Sequence, residues 1–539
     1  MINTAEYAHL LHYTPPLEFG GDPLLLVVSP TGKAEATSLA QLSRINRPIV
    51  THSFSLLVDW LRDRNLPLPD KIVDLEVAKK LLVGRPKSDF DIERPWDMPS
   101  MLLKYVPTQY DHKQIRAALA THMAKPPLSA FSNLRWMTAV AVKLPILWQE
   151  IQAELIASGE NQRFEDIEVP VYNLMLHTQY RGMILDTAQR DSFLQSVDDE
   201  YMATHYQLAI HEGMDVERAL ADREYLSSRL SHPLQSAETF NDILQIIKAR
   251  KSSDRICALL HAVVSARRNR GILLRTIGVN GSHCYPMHDT MGTITGRILT
   301  IDPQLQHLSK RYRGVIKARA GCRLIYVDYS QFEPNIMASI SMDPQLMALC
   351  NEGDLYEKLA VALCGGVEHR KAMKLLFLAY SYGKQVASLS DFLVGIIESS
   401  QQAEEAIQKQ FLPIFRGIEK WKTTNEAQLL HAGRIGTILG NHRNRTKQGE
   451  LDSKECRWVV SQIVQGTGSL ILKKLIIELA STIPEVFVLL PMHDALLVEV
   501  PEDKSAVITA DLLSCCRKVF SEVCPLVMPS VYEKTFAEA

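Results

Sequence analysis

Val327-Asp328-Tyr329-Ser330-Gln331-Phe332-Glu333 decides the fold. The apolar run Arg323 to Val327 predicts a short strand that ends on Asp328, and Glu333 follows five residues later. A carboxylate at a strand end is a rigidly placed oxygen ligand, the type that suits Mg²⁺. Taken alone, the same Asp also fits a turn or a helix cap. A second acidic turn lies 166 residues further on, in Pro491-Met492-His493-Asp494-Ala495-Leu496-Leu497-Val498-Glu499-Val500. The apolar runs Val486–Pro491 and Ala495–Val500 flank it and predict a β-hairpin. A fold that joined Asp328 to Asp494 could hold two Mg²⁺ ions roughly 4 Å apart, the arrangement for in-line phosphoryl transfer.

Between the two carboxylates, Arg370, Lys374, Leu378 and Tyr382 recur every four residues, with Gly383 next. They share one helix face. Two cations in line with Leu and Tyr make a poor core stripe, but they suit a polyanionic tail at one end and a flat base at the other. A solvated face with a glycine cap is the plainer alternative. Three weaker segments complete the set: Thr295-Gly296-Arg297, Asp302-Pro303-Gln304-Leu305-Gln306-His307, and Gln465-Gly466-Thr467-Gly468, which opens a helical run over Ser469–Ala480.

Composition sets the limits around these motifs. The 539 residues are 46% hydrophobic and 22% charged, ordinary globular usage for several domains. No apolar run approaches the ~18–20 residues of a membrane span, and the N-terminus lacks the pattern of a secretory leader. Nine cysteines include no CxxC pair, which argues against structural zinc and fits a reducing, cytoplasmic compartment. Net charge is −2, yet residues 243–320 hold fourteen Lys or Arg against three Asp. The clusters Lys248/Arg250/Lys251, Arg267/Arg268/Arg270 and Lys310/Arg311/Arg313 suit a polyanion-binding surface, or a solvated helix face. Gly21–Ser29 predicts a buried strand, Leu56–Leu61 a helical patch, and the polar stretch Asn161–Glu168 a boundary. Residues 171–270 read as helical, with apolar spacing near 3.6 over Tyr201–Ile210 and Phe240–Arg250.

In order and spacing these motifs resemble the family A DNA polymerases, the DNA polymerase I group, over residues 166 to 539. Thr295-Gly296-Arg297 is similar to the family's TGR segment, Asp328–Glu333 to motif A, Arg370–Gly383 to motif B, and His493-Asp494-Ala495 to motif C. Arg457 and Gln465-Gly466-Thr467 resemble the helix before motif C. The resemblance implies that Asp328, Asp494 and the main-chain carbonyl of Tyr329 hold two Mg²⁺ ions, with Mn²⁺ as a substitute. It implies that Arg370 and Lys374 grip the triphosphate, with Lys374 donating a proton to the leaving group. Gln331, Glu333, Leu378 and Tyr382 would line the nucleotide site, Glu333 crowding the sugar 2′ position and Tyr382 stacking near the template base. Arg297, Gln306, Arg311, Gln465 and His493 would contact DNA, with Arg297, Gln465 and His493 reading the minor groove or primer end. This sequence departs from the family at Ala495 (usually Glu), Leu378 (Phe or Tyr), Pro334-Asn335 (Leu-Arg) and Tyr356 (often His).

The N-terminal third resembles the family's 3′→5′ exonuclease domain faintly, through Val50–Leu56, Trp60-Leu61, Leu66–Pro69 and Val73-Asp74. The expected acids fall at Leu56 and about Trp136 and the expected Tyr at about Ser132, and Leu24–Ser29 lacks an Asp-x-Glu pair. The expected architecture is α+β: a small α/β exonuclease-like domain without nuclease activity (1–165), then a right-hand polymerase (166–539). Its thumb would span 190–284, its antiparallel β palm 285–345 and 460–539, and its helical fingers 346–459. The expected partners are primer–template DNA and deoxynucleoside triphosphates, with no membrane. A phage or mobile-element replication enzyme fits the expected lack of a 5′-nuclease domain. The rival readings are a non-catalytic DNA-binding scaffold derived from a polymerase, and a palm enzyme with other nucleotide preference.

Overall fold

A computed structural model describes residues 6–13, 23–29, 32–90, 94–106, 108–109, 111–113, 116, 130–230, 240–276, 281–393 and 395–537. The chain separates into two compact units. The larger contains residues 1–181, 288–299 and 325–534, the smaller 182–287, 300–324 and 535–539.

The larger unit opens with a five-stranded sheet. Its strands are β1 (Ala8–Tyr13), β2 (Leu24–Val28), β3 (Ala34–Thr37), β4 (Ile49–Thr51) and β5 (Ile72–Asp74), in the order β3-β2-β1-β4-β5. The β1–β2 and β2–β3 pairs are antiparallel, and β1–β4 and β4–β5 are parallel. The strand expected from Gly21 is β2, with 21 and 22 outside the described residues. The central strand is β1, which its two histidines hide from an apolar-run reading. Helix Ser55–Asp63 covers the expected patch, and helix Leu75–Val83 starts where the buried Asp74 caps the amides of Glu76 and Val77. Trp136, Met137, Trp148 and Phe164 complete this core.

The polar stretch 161–168 is helical, with Arg163 and Glu168 buried, Glu165 half-buried and Asp166 exposed. It runs on into helix Val169–Arg181. The Arg163 Nε donates to Glu168 at 2.7 Å, and Lys473 Nζ donates to the other Glu168 oxygen at 2.6 Å, all three side chains being out of contact with solvent. Arg163 and Glu168 thus belong to an internal ion network.

The second sheet has four strands in the order Phe487–Pro491, Ala495–Pro501, Cys322–Tyr329, Val531–Lys534. The expected hairpin is its first pair, antiparallel with an irregularity between Val488 and Leu490. Helices Ser453–Thr482 and Ser505–Val523 belong to the same apolar core, in which Phe520 meets Tyr329 and Phe332. The long helix begins at Ser453, well before the expected Ser469. Asp452 and Glu455 form a reciprocal cap there. Gly466 and Gly468 lie inside this helix because of close packing. A Cβ at Gly468 would stand 2.9 Å from the Phe332 ring, and one at Gly466 2.9 Å from Thr437. Further helices between the motifs include Phe332–Ser341, Leu355–Cys364, Arg370–Ser381 and Arg416–Ala432.

The smaller unit is mainly helical. Helix Thr187–Tyr206 packs against Arg255–Arg275, and Phe240–Arg250 forms as its spacing predicts. A three-stranded sheet, order Ile316–Lys317, Met183–Leu185, His283–Cys284, completes it. Five of its basic-band arginines are tied to acids: Arg270 to Asp198 at 2.6 Å, Arg255 to Glu212 at 3.2 Å, Arg275 to Asp302 at 3.7 Å, Arg311 to Glu200, and Arg267 to Glu217. Among the described residues no helix is long and apolar enough to cross a membrane.

Candidate active site

Asp328 lies on the strand Cys322–Tyr329, and Asp494 in the turn just before its neighbour Ala495–Pro501. The amide of Tyr329 donates to the main-chain carbonyl of Asp494 at 3.2 Å. The Tyr329 side chain runs into the core, where its hydroxyl donates to the Cys516 carbonyl at 2.8 Å. That anchor fixes the strand end carrying Asp328. The turn before Ala495 closes through the Met492 amide on the Ala495 carbonyl at 2.8 Å. Asp494 is open to solvent, but protein crowds its base. Lost hydration first, then the Asp328 charge, push its carboxyl up to about 6. Lys534, on the strand beside Asp328, places its ammonium on the Asp328 carboxylate.

Glu333 is held from two sides. Arg297 donates to one carboxylate oxygen at 2.8 Å and the Tyr382 hydroxyl to the other at 2.5 Å. Gln465 bonds the same hydroxyl, whose pKa is raised by burial and then by the Glu333 charge. Arg297 is presented by a tight turn in which Gly296 has φ +75° and the Arg297 amide donates to the Thr293 hydroxyl at 3.1 Å. Helix Ser453–Thr482 clamps that turn. Ser469 donates to the Gly296 carbonyl at 2.5 Å and Gln462 to the Ile294 carbonyl at 3.3 Å. One helix thus sets both Gln465 and Arg297 around Glu333.

Arg370, Lys374 and Leu378 lie on helix Arg370–Ser381, and Tyr382 caps its end beside Gly383, φ +79°. Arg370 is bound to Asp354 through two nitrogens, at 2.6 and 3.1 Å. Lys374 is exposed and has no ion-pair partner among the described residues. Leu378 is half-buried against the core. Gln331, in the left-handed region at φ +51°, accepts from the Leu355 amide at 2.8 Å, so it braces the start of helix Leu355–Cys364. Tyr356 is buried at 3% exposure and cannot take the place of an exposed phosphate ligand. His493 is exposed beside Asp494. Gln306 and Arg311 belong to the smaller unit, where the Gln306 carbonyl oxygen accepts from the Thr300 amide at 3.0 Å and Arg311 pairs with Glu200.

Lys534 and Asp354 were not legible as site residues. Lys534 comes from a C-terminal strand with no motif, and Asp354 reads as the helix cap it also is. Among the described residues no group of three or more His, Cys, Asp or Glu could hold a metal ion. The Asp328–Asp494 pair offers oxygen donors only, and its two carboxylates repel, with Lys534 paired to Asp328 alone. That suits a hard divalent cation sharing ligands with a bound phosphate.

Residues 204–533 match the model of DNA polymerase family A. DNA polymerase theta of Caenorhabditis elegans is 30% identical over 253 residues, 45% of this chain and 15% of that protein. The thermostable DNA polymerase I of Thermus thermophilus is 24% identical over 420 residues, 70% of this chain and 48% of that protein. The chain spans no more than about half the length of these relatives. The solved POL domain of Pol1 from M. smegmatis, in complex with DNA primer-template and dNTP, superposes with a TM-score of 0.75 at 18% identity, covering 99% of this chain and 96% of that one. The α+β architecture is therefore the polymerase fold, and the chain belongs to DNA polymerase family A.

Proposed function

We propose that this chain is a template-directed DNA polymerase that adds deoxynucleotides to a primer 3′ end. The observation that carries the reading is the meeting of Asp328 and Asp494 at the Tyr329–Asp494 main-chain bond. Asp328, Asp494 and the Tyr329 carbonyl would hold Mg²⁺, two ions in all, with Mn²⁺ as a substitute. The chemistry such ions supply when bound is acidification of the primer 3′-hydroxyl and charge compensation on the departing pyrophosphate.

The chain's own groups do the rest. Lys374, exposed and without an ion-pair partner among the described residues, meets the triphosphate and holds the proton for the leaving pyrophosphate. Arg370 joins it by sharing or leaving Asp354. Glu333, fixed by Arg297 and Tyr382, walls the sugar 2′ side, and Tyr382 lies under the template base. Gln465 and His493 face the primer–template minor groove, where correct pairs offer equivalent acceptors. Gln306, Arg311 and the basic band of residues 243–320 take duplex phosphates. The domain limits 1–165 and 166–539, a cytoplasmic location, and the absence of proofreading belong to the same proposal.

Primer extension on a defined template tests it. Asp328→Ala and Asp494→Ala are expected to lose at least about 10³ in rate, on the order of 4 kcal/mol, with DNA binding retained. Near-normal extension by either variant overturns the assignment.

A further inference from the structure

Helix Ser453–Thr482 presents a polar stripe to the turn that carries Arg297. Gln462, Ser469 and Lys473 recur at i, i+7 and i+11, share one helix face, and are at most 3% exposed. Each holds a different point of the segment Met291–Arg297. Gln462 donates to the Ile294 carbonyl at 3.3 Å, Ser469 to the Gly296 carbonyl at 2.5 Å, and the Lys473 ammonium meets the Met291 sulfur at 3.5 Å. The Gly292 amide closes the segment on the Arg297 carbonyl at 3.1 Å. The register of this helix therefore decides where Arg297 meets Glu333.

That register is set from the segment 161–168. Lys473 Nζ donates to one Glu168 oxygen at 2.6 Å and Arg163 Nε to the other at 2.7 Å. Arg163 Nη1 donates to the Leu439 carbonyl at 3.3 Å, and a Cβ on Gly296 would stand 3.6 Å from its Nη2. The triad thus reaches both the long helix and the turn. Stability does not account for it. Three charges out of contact with solvent lose their hydration, and apolar side chains of similar volume often do as well or better. Burial pulls the Lys473 amine down to about 8 against the attraction of Glu168. Arg163 Nη2 is buried with no hydrogen-bond partner among the described residues, which is a further cost. Directional bonds to a buried charge fix register, which non-directional apolar packing does not.

We infer that Arg163, Glu168 and Lys473 are positioning residues for sugar selection: they fix the long helix in register, so that Ser469 and Gln462 hold the turn that aims Arg297 at Glu333. All three are out of contact with solvent, so they act only through the residues they hold. The inference rests on the polymerase reading, with Glu333 as the wall beside the sugar.

Single-nucleotide extension by the full chain, with dNTP against rNTP, tests it. The triple variant Arg163→Met, Glu168→Leu, Lys473→Met replaces the triad with apolar side chains. It is expected to fold and to melt within a few degrees of wild type. Its dNTP-to-rNTP ratio of kcat/KM should fall at least about threefold, and adding Arg297→Ala should lower the ratio no further, because both changes act on one contact. An unchanged ratio, or a fall that multiplies with that of Arg297→Ala, overturns the proposal. Should the triple variant not fold, Lys473→Met, which leaves Glu168 to Arg163, is read by the same ratio and the same combination. Failure of both to fold also overturns the proposal, since the charges would then serve stability. A Glu333→Ala ratio equal to that of wild type removes the sugar wall and this inference with it, while the polymerase reading stands. Failure of wild type to extend a primer with any dNTP counts instead against the polymerase reading.

Discussion

Lys534 sits on Asp328. The two residues lie on paired antiparallel strands, Lys534 opposite Tyr326 and Asp328 opposite Tyr532, and the lysine reaches across the diagonal. A protein cation therefore stands on a carboxylate proposed to bind a divalent ion, and the two compete. Lys534→Ala is expected to lower the Mg²⁺ concentration for half-maximal extension by about two- to fivefold, the equivalent of an ion pair worth up to ~1 kcal/mol. The saturated rate should change little, and Lys534→Arg should restore the wild-type midpoint. Identical Mg²⁺ titrations for Lys534→Ala and wild type would show that the lysine leaves Asp328 without competition.

Asp494 gives a pH dependence of definite sign. Burial and Asp328 raise its carboxyl from an ordinary 3.8 to about 6 in the folded chain. The unfolded chain thus binds fewer protons than the folded chain between those values, and stability from this group falls as pH rises through about 4 to 6. Without metal, Asp494→Asn should be more heat-stable than wild type at pH 7.5, and the difference should shrink as pH falls through 6. Thermal melts in EDTA at both pH values check this, and a difference independent of pH removes the charge explanation.

Sugar choice follows from the two-sided grip on Glu333. Glu333→Ala should lower the dNTP-to-rNTP ratio of kcat/KM by at least about tenfold, or about 1.4 kcal/mol. Arg297→Ala frees one carboxylate oxygen and leaves Tyr382 on the other, so its ratio should fall between those of Glu333→Ala and wild type. Equal ratios in all three proteins place the sugar contact elsewhere.

The sequence exposed what chemistry demands of it. Asp328, Glu333, Arg370, Lys374 and Asp494 keep their residue types and spacing, and the apolar runs around the two aspartates became paired strands. What stayed hidden depends on distant partners. Lys534 meets Asp328 across 206 residues, and Lys473 meets Glu168 across 305. Charge counting over 243–320 could not anticipate the acids of helix Thr187–Tyr206 that tie Arg270 and Arg311. The start of the long helix at Ser453 was masked by Gly466 and Gly468, whose low propensity is outweighed by contact with Thr437 and Phe332.

Leu378 stands half-buried between Lys374 and Tyr382 on the helix face proposed to meet the nucleotide, with no polar atom to offer. A family member with tyrosine here tolerates chain-terminating dideoxynucleotides, its hydroxyl standing in for the missing sugar oxygen. This chain should therefore discriminate against dideoxynucleotides, and Leu378→Tyr should relax that preference by about tenfold, ~1.4 kcal/mol. Termination ladders from the two proteins compare them directly, and equal ladders assign the preference to another residue.

The N-terminal domain is expected to have no 3′→5′ exonuclease activity. Such chemistry needs several carboxylates around two cations and a positioned water. The central strand β1, Ala8–Tyr13, carries His9 and His12 but no acid. Leu56 and the buried Trp136 stand near the other acidic positions, and the Ser132 side chain, near the expected Tyr, lies outside the described residues. Three described acids of the domain are occupied. Asp74 caps a helix and accepts from the Tyr172 hydroxyl at 2.8 Å, Asp59 pairs with Arg62 at 2.6 Å, and Glu76 pairs with Lys80 at 2.8 Å. Asp74 is held up to about 6 by burial and then by Glu76, as suits a structural acid kept from water. A 5′-labelled primer with a mismatched 3′ end, incubated with Mg²⁺ or Mn²⁺ and no nucleotides, should keep its length. Shortening by purified protein, persisting in an Asp328→Ala background that cannot reverse polymerisation, would mean that acids beyond Asp59, Asp74 and Glu76 build a nuclease site.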